Sequence, residues 1–550
     1  MQKRKSSHAM AVDFWGRKYS SSSAKLVIYF RPQALLQRAT QRDIFLKDEA
    51  MRVVQNEQMQ IGEVDISQIK FDPRSRDDIP KILKGLQHLY VTIELREKIF
   101  ELLEKEIAPQ VDKRNGRPGM ALWKILVCGV LRLDLNADYD LVCELVNHHD
   151  TIRQMLGHGA FNEETYHFQT LKDNVSLFTP ELLDKINKIV VDAGHGLLKQ
   201  KAGEALLGRC DSFVVETNVH FPTDISLLYD AMRKVITLTA QLCDRHGASD
   251  WRQHAYNVRH VKRCMRRAQN KKRGKAQSTE RQAQREALIA KAHEDYLEVA
   301  QRYLDKARDT LDGLAQRGLS SPWDIVMVLQ IEGFMDHATR QIDQTRRRVI
   351  HGEIIAHEQK VFSIFEPHTE WISKGKAGVL VELGVKVCIL EDQHQFVLHH
   401  QVMQQQTDEQ VAVSMVGEAK KRFPNLAVCS FDKGFHSREN QSALKEPLEQ
   451  VVLPRKGKLS SQAQALEQSP AFIKARRKHS AVESAINALE VHGLDMCPDH
   501  GIVGFKRYVA LAVVSRNIHR IGAILWRHEQ ERAKRKRKYS DRDTTYKLAA

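Results

Sequence analysis

The order of apolar patterns along this chain predicts a multidomain α+β protein: helices first, then a mixed sheet whose strands are split by a long helical block. Three observations carry that expectation. The run Phe213, Val214, Val215, Thr217, Val219 has the β-branched and aromatic content of a strand, and Pro222 ends it. From Leu227 to Leu314 the apolar residues recur at helical spacing. Strand-like runs then return after Val361 and alternate with short helical segments as far as Leu453.

The 550 residues are 42% hydrophobic and 28% charged, a composition able to build two or three domains with their own cores. Against 69 Asp and Glu stand 85 Lys and Arg, and the net charge of +16 is large enough to draw in a polyanion, nucleic acid before an anionic membrane. The longest apolar run, Ala121 to Leu133, carries Lys124 and Arg132 and is too short to span a bilayer, so no membrane partner is expected. The N-terminus has no secretory hydrophobic region. Eight scattered cysteines with no CxxC pair suggest neither a zinc ribbon nor a disulfide framework, and place the chain in a reducing, cytoplasmic compartment.

Residues 1–50 mix basic residues with a serine run and show no sustained period, so a poorly ordered extension is expected. Residues 51–175 read as a helical region. An acidic turn at Asp77 and Asp78 opens a helix carrying Ile82, Leu83, Leu86, Leu89 and Tyr90, and Leu95 to Ile107 forms a second. Met120 to Leu133, Tyr139 to Asn147 and Thr151 to Leu156 are short helices joined by tight polar turns, the spacing of a helix-turn-helix module. Residues 225–360 read as a basic insertion, packed as an antiparallel coiled-coil hairpin. Its outer part carries Arg259, Lys262, Arg263, Arg266, Arg267, Lys271, Lys272 and Arg273 with almost no interleaved acid, which favours phosphate contact over a merely solvated face. Strands follow at Val379 to Ile389, His394 to Val402, Leu426 to Phe431 and Val451 to Leu453, with helices at Asp408 to Arg422 and Ser437 to Glu446. Residues 527–550 form a basic tail, read as a mobile phosphate-binding arm.

Within this pattern three acids stand on rigid elements. Asp211 lies near the start of the first strand, Asp432 at the end of the strand Leu426 to Phe431, and Glu483 on a helix from Arg476 to Glu490 whose apolar face is Val482, Ala485, Ile486 and Leu489. Glu216 projects to the other face of the first strand, and Asp224 lies beyond the proline. Together the three acids form a candidate hard-oxygen site for two Mg2+ (or Mn2+) ions, of the kind that activates an attacking water or hydroxyl and stabilises a leaving 3′-oxygen. With the helical block set aside, residues 195–224 and 361–526 run strand, strand, strand, helix, strand, helix, strand, helix, the order of an RNase H-like mixed α/β domain.

The segments Asp211–Leu228, Val361–Lys376, Phe431–Ser437 and His479–Asn487 resemble the blocks of bacterial insertion-sequence transposases of the DDE class, most closely the ISNCY group, and the likeness runs from about Met51 to Trp526. The resemblance implies that Asp211, Asp432 and Glu483 are the DDE triad. It implies that the helices before residue 160 bind terminal inverted repeats in double-stranded DNA, and that 3′-end cleavage is followed by strand transfer. A homodimer at synapsis is expected because two ends are processed together, and the protein is expected at the bacterial nucleoid. Related groups carry an Arg four residues before the Glu and a Lys seven after it; here those positions are His479 and Glu490. Their phosphate-gripping role is assigned instead to Arg476, Arg477, Lys374 or Lys376, and His368 and Trp371 are further candidates for the site's lining. A hydrolytic nuclease or resolvase would use the same triad, and a non-catalytic DNA-binding derivative is the third reading.

Overall fold

A twelve-residue strand, β1 (Leu206–Thr217), runs through the middle of the only large sheet among the described residues. The computed structural model describes residues 50–549 apart from 52, 55–58, 60–61, 73, 108–116, 199–203, 272–277, 320, 374–379 and 458. The expectations placed on residues 1–49, Lys272, Arg273, Lys374 and Lys376 lie outside that set.

The other strands of this sheet are β2 (Glu370–Ser373), β3 (Val381–Glu391), β4 (Val397–Met403), β5 (Leu426–Phe431), β6 (Gln450–Val452) and β7 (Met496–Cys497). On one side β1 pairs antiparallel with β3, Asp211 lying opposite Ile389. The far edge of β3 is shared end to end by β2 and β4, both antiparallel to it. On its other side β1 runs parallel to β5, and beyond the end of β5 it pairs with β7. β6 closes this side, parallel to β5. The protein is therefore a mixed α+β fold with a mixed sheet.

One strand expectation needs correction, and two short strands were not expected. β1 begins at Leu206, so Asp211 sits mid-strand; Gly208 and Arg209 interrupt the apolar pattern, yet their backbones pair with Cys429 and Ser430. β2 and β7 are only four and two residues long, too short for a visible period.

The helices are α1 (Ile79–Val91), α2 (Ile93–Ile107), α3 (Leu122–Asp134), α4 (Tyr139–His148), α5 (Asp150–Met155), α6 (Phe168–Val175) and α7 (Pro180–Leu197) before the sheet. The insertion holds α8 (Asp224–Arg245), α9 (His254–Lys271), α10 (Thr279–Gln316) and α11 (Pro322–Val349). After it come α12 (Asp408–Arg422), α13 (Arg438–Ala443), α14 (Ser461–Glu467), α15 (Pro470–His479), α16 (Ala481–Leu489) and α17 (Gly501–Ala549). Polar side chains fix many starts: Asp138 accepts the Leu141 amide at α4, and Thr223 with Ser226 forms a reciprocal cap at α8.

The insertion is not a two-helix hairpin. α9 and α11 each carry a buried stripe of their own, Val261, Cys264 and Ala268 on one, Met327, Ile331, Met335 and Ala338 on the other, and all four helices share a core. Periodicity over a 130-residue block shows that helices exist, not how often the chain reverses. The basic tail, residues 527–549, continues α17 as helix.

A second, larger core joins buried residues of α1–α7, the sheet and α17. α17 is its axle, packed on α1, α3 and α7. α1 and α17 approach so closely that a methyl on Gly522 would lie 1.9 Å from the Lys81 carbonyl oxygen and one on Gly85 would lie 2.3 Å from that of Ile518. Both obstacles are backbone and cannot swing aside. Gly522→Ala is therefore expected to lower stability by about 1–3 kcal/mol, read from the midpoint of denaturant unfolding; an unchanged midpoint would show that the helices can separate freely.

Candidate functional site: a carboxylate lip at the end of β5

The parallel register of β1 with β5 builds this site. Cys210 is paired with Phe431, so the next residues, Asp211 and Asp432, stand side by side on strands about 4.8 Å apart. Asp432 keeps an extended backbone (φ −75°, ψ 165°) before the chain turns through Lys433–Phe435. Side chains alternate along a strand, so Arg209, Asp211, Ser430 and Asp432 share one face. That face carries His479, whose Nδ1 is 3.0 Å from Ser430 Oγ. α16 packs on β1 and brings Glu483 toward the same acids.

The helix expected from Arg476 to Glu490 is broken at Ser480, where α15 ends and α16 begins. Arg476, Arg477 and His479 thus belong to a different helix from Glu483, yet His479 still faces Asp432 and Glu483. Ser480 is a mild signal, being both a weak helix former and a competitor for backbone hydrogen bonds.

Asp211 is half-buried, whereas Asp432 and Glu483 are exposed. Burial pushes the Asp211 carboxyl up to about 6, and the charges of Asp432, Asp408 and Glu483 act in the same direction, opposed by a 2.8 Å hydrogen bond from the Ser212 amide. Burial also lowers His479 from the usual imidazole range, against the pull of Asp432. Asp211 feels the charge of the other two acids, but the three do not close into a threesome within 4.8 Å; among the described residues that tightness belongs to Asp134, His492 and His519, a buried group that could hold a metal ion.

A fourth acid, Asp408, was not singled out from the sequence. It opens α12, accepts the Ser212 hydroxyl at 2.6 Å, pairs with Lys386 at 3.3 Å and lies against Gly434 in the turn after Asp432. In sequence, an Asp just after Thr407 at the head of a helical run reads as an ordinary helix start.

The remaining candidates divide. Trp371 is half-buried between Phe221 and Phe362, with ring centroids 5.5 and 5.6 Å away. His368 packs on Phe505 and beside Glu366, which accepts the Gly501 amide at the start of α17, so its contacts serve that helix start and not the acids. Arg259, Arg263, Arg266, Arg267 and Lys271 line the exposed face of α9, while Lys262 is half-buried over Tyr229. Arg476 and Arg477 are exposed. No helix among the described residues is long and apolar enough to cross a membrane, and all eight cysteines are free.

Comparison of the chain with protein-family models, with curated proteins and with solved structures gave no match.

Because Asp211 is protonated more readily in the fold than its usual value of 3.8, the folded state binds the extra proton between pH 4 and 6. Its contribution to stability therefore declines as pH rises through that window. In chelator-treated protein, Asp211→Asn is expected to gain about 1–2 kcal/mol at pH 7.5 and almost nothing at pH 4, less than full linkage because the group is partly solvated. Chemical unfolding at both pH values measures this; an equal effect at both would refute it.

Proposed function

We propose that this chain is a DDE-class DNA transposase of the ISNCY type, in which Asp211, Asp432 and Glu483 serve metal-dependent 3′-end cleavage and strand transfer. The observation that carries the reading is the register that sets Asp211 beside Asp432 with Glu483 turned toward both. The sheet supports it further: three antiparallel strands ordered β4, β3, β1, followed by parallel β5 and β6, is the arrangement of an RNase H-like domain. The four-helix insertion enters directly after β1, between the first acid and the rest of the sheet.

All three acids offer hard oxygen donors, which fits Mg2+ or Mn2+, and two ions would be shared among them. Bound there, the ions would polarise the attacking hydroxyl and the leaving 3′-oxygen. The protein's own groups supply the rest. Ser430 fixes the His479 ring beside Asp432, where imidazole takes the place of the Arg of related groups. The Ser212–Asp408–Lys386 chain braces the back of β1 opposite Asp211. Arg476 and Arg477 stand exposed at the end of α15 to meet a phosphate, and the exposed face of α9 gives double-stranded DNA a second contact. This reading carries with it binding of the terminal repeats by residues 51–175, a homodimer at synapsis and a place at the nucleoid in the cytoplasm.

With pre-cleaved element ends, a target plasmid and Mg2+, the full chain is expected to join ends to target, and Asp432→Asn to lose more than about 100-fold of that activity while binding DNA as before. Nicking without joining would mean a hydrolytic nuclease, and binding alone a non-catalytic derivative. Replacing Arg259, Arg263, Arg266 and Arg267 together by Ala is expected to flatten the slope of log affinity against log salt by about 3–4, measured by fluorescence anisotropy; an unchanged slope would remove α9 from the DNA interface.

A further inference from the structure

We propose that Asp134, His492 and His519 form a transition-metal site, for Zn2+ or a similar borderline ion, distinct in place and chemistry from the carboxylate lip. The three residues come from three separate elements: Asp134 ends α3, His519 lies on α17, and His492 sits in the turn Glu490–Leu494 that follows α16. His519 Nδ1 is 2.8 and 3.1 Å from the two Asp134 carboxylate oxygens, and His492 Nδ1 is 3.9 Å from Oδ1. The imidazole centroids are 5.2 Å apart, and one donor atom from each residue falls within 4.8 Å of the others. Tetrahedral Zn2+ with bonds of about 2.0–2.2 Å needs donors roughly 3.3–3.6 Å apart, so the observed spacing brackets the requirement and small side-chain shifts meet it.

The donor set decides the class of ion. Two imidazole nitrogens and one carboxylate oxygen suit Zn2+, Co2+ or Ni2+, whereas Mg2+ prefers oxygen and keeps its waters. His492 Nδ1 now points at the Asp134 carbonyl oxygen and His519 Nδ1 at the Asp134 carboxylate, so each ring would carry its proton on the other nitrogen when the ion binds. With three protein donors the ion remains exchangeable.

The place of the site gives the ion a role. The turn at His492 has lost helical geometry, with Gly493 at φ +97°, and the Tyr508 hydroxyl donates to the Gly493 carbonyl oxygen at 3.1 Å. A methyl on Gly493 would approach that hydroxyl at 3.0 Å, so the turn is packed tightly against α17. An ion here ties the turn after α16 to two core helices, and α16 carries Glu483. His492 and His519 are positioning residues in this account, and the site stands whether or not Glu483 is catalytic.

The test uses the full chain stripped with a chelator. Zn2+ added in slight excess is expected to raise the melting temperature by about 2–5 °C, Mg2+ at the same concentration to leave it unchanged, and Co2+ to develop the visible ligand-field absorption of a low-symmetry nitrogen–oxygen site. Asp134→Asn is expected to abolish both effects. Since Asp134 is buried and its variant could fail to fold, His492→Gln, at a half-buried position, is the second variant and is also expected to abolish both. Absence of a shift and of a Co2+ band in the unaltered chain overturns the proposal. So does a response of equal size in His492→Gln, which would trace the effect to surface histidines. Neither readout involves DNA, so these outcomes are separate from those of the strand-transfer assay.

Discussion

The parallel pairing of β1 with β5 is the constraint on which the candidate site depends. Its register makes Asp211 and Asp432 neighbours although the chain between them includes a four-helix bundle, the strands β2, β3 and β4, and α12. A slip of one residue would send Asp432 to the other face of the sheet, toward α12, and leave Asp211 without a partner. The register is held by the buried residues flanking the acids. Cys210 and Phe431 lie in the core, Phe431 packs on Phe435 at 5.5 Å, and the Ser430 hydroxyl reaches the Gly208 carbonyl across the strands. Apolar packing and backbone pairing thus keep like charges together that would repel if free, and the Asp211 carboxyl is raised first by its burial and then by the charges of its neighbours.

Two cores divide the work. The larger one wraps α17 with α1–α7 and the sheet, and makes the platform for the acids. The smaller one belongs to α8–α11, and leaves most of the basic side chains of α9 in solvent. Charge on a separately packed bundle can meet a polyanion without perturbing the strands that carry the acids. The clasp of Arg348 on Asp224 and the Tyr296 hydroxyl on the Ile225 carbonyl hold the bundle's own ends together where it leaves β1.

Much of this was legible because strand and helix periods are local. The bounds of α12 and β5 match the expected segments residue for residue, since each has a clean period and a clear cap or turn. The acids were legible because Asp211 stands in a β-branched and aromatic strand, Asp432 at a strand end and Glu483 on a polar helix face. What was hidden depends on contacts between distant segments. Arg209, Ser430 and His479 share a face only once β1 and β5 are in register, and Asp408 looks like a helix start until Ser212 and Lys386 meet it. Asp134 lies 358 residues from His492 and 385 from His519, and the three follow no spacing rule, so only the packing of α3, α17 and the turn after α16 brings them together. The number of helices in the insertion was hidden for a related reason: helical periodicity does not count reversals.

The same separation has a consequence for how the polypeptide acquires its shape on the ribosome. Ser212 meets Asp408, 196 positions later, and β1 finds no partner strand until the bundle of α8–α11 has been made. That bundle has local contacts and its own interior, so it can settle early, whereas β1 waits with both edges unpaired. The twelve-residue central strand is accordingly the segment most exposed to misassociation while synthesis is under way, and slow translation through the bundle would lengthen that hazard.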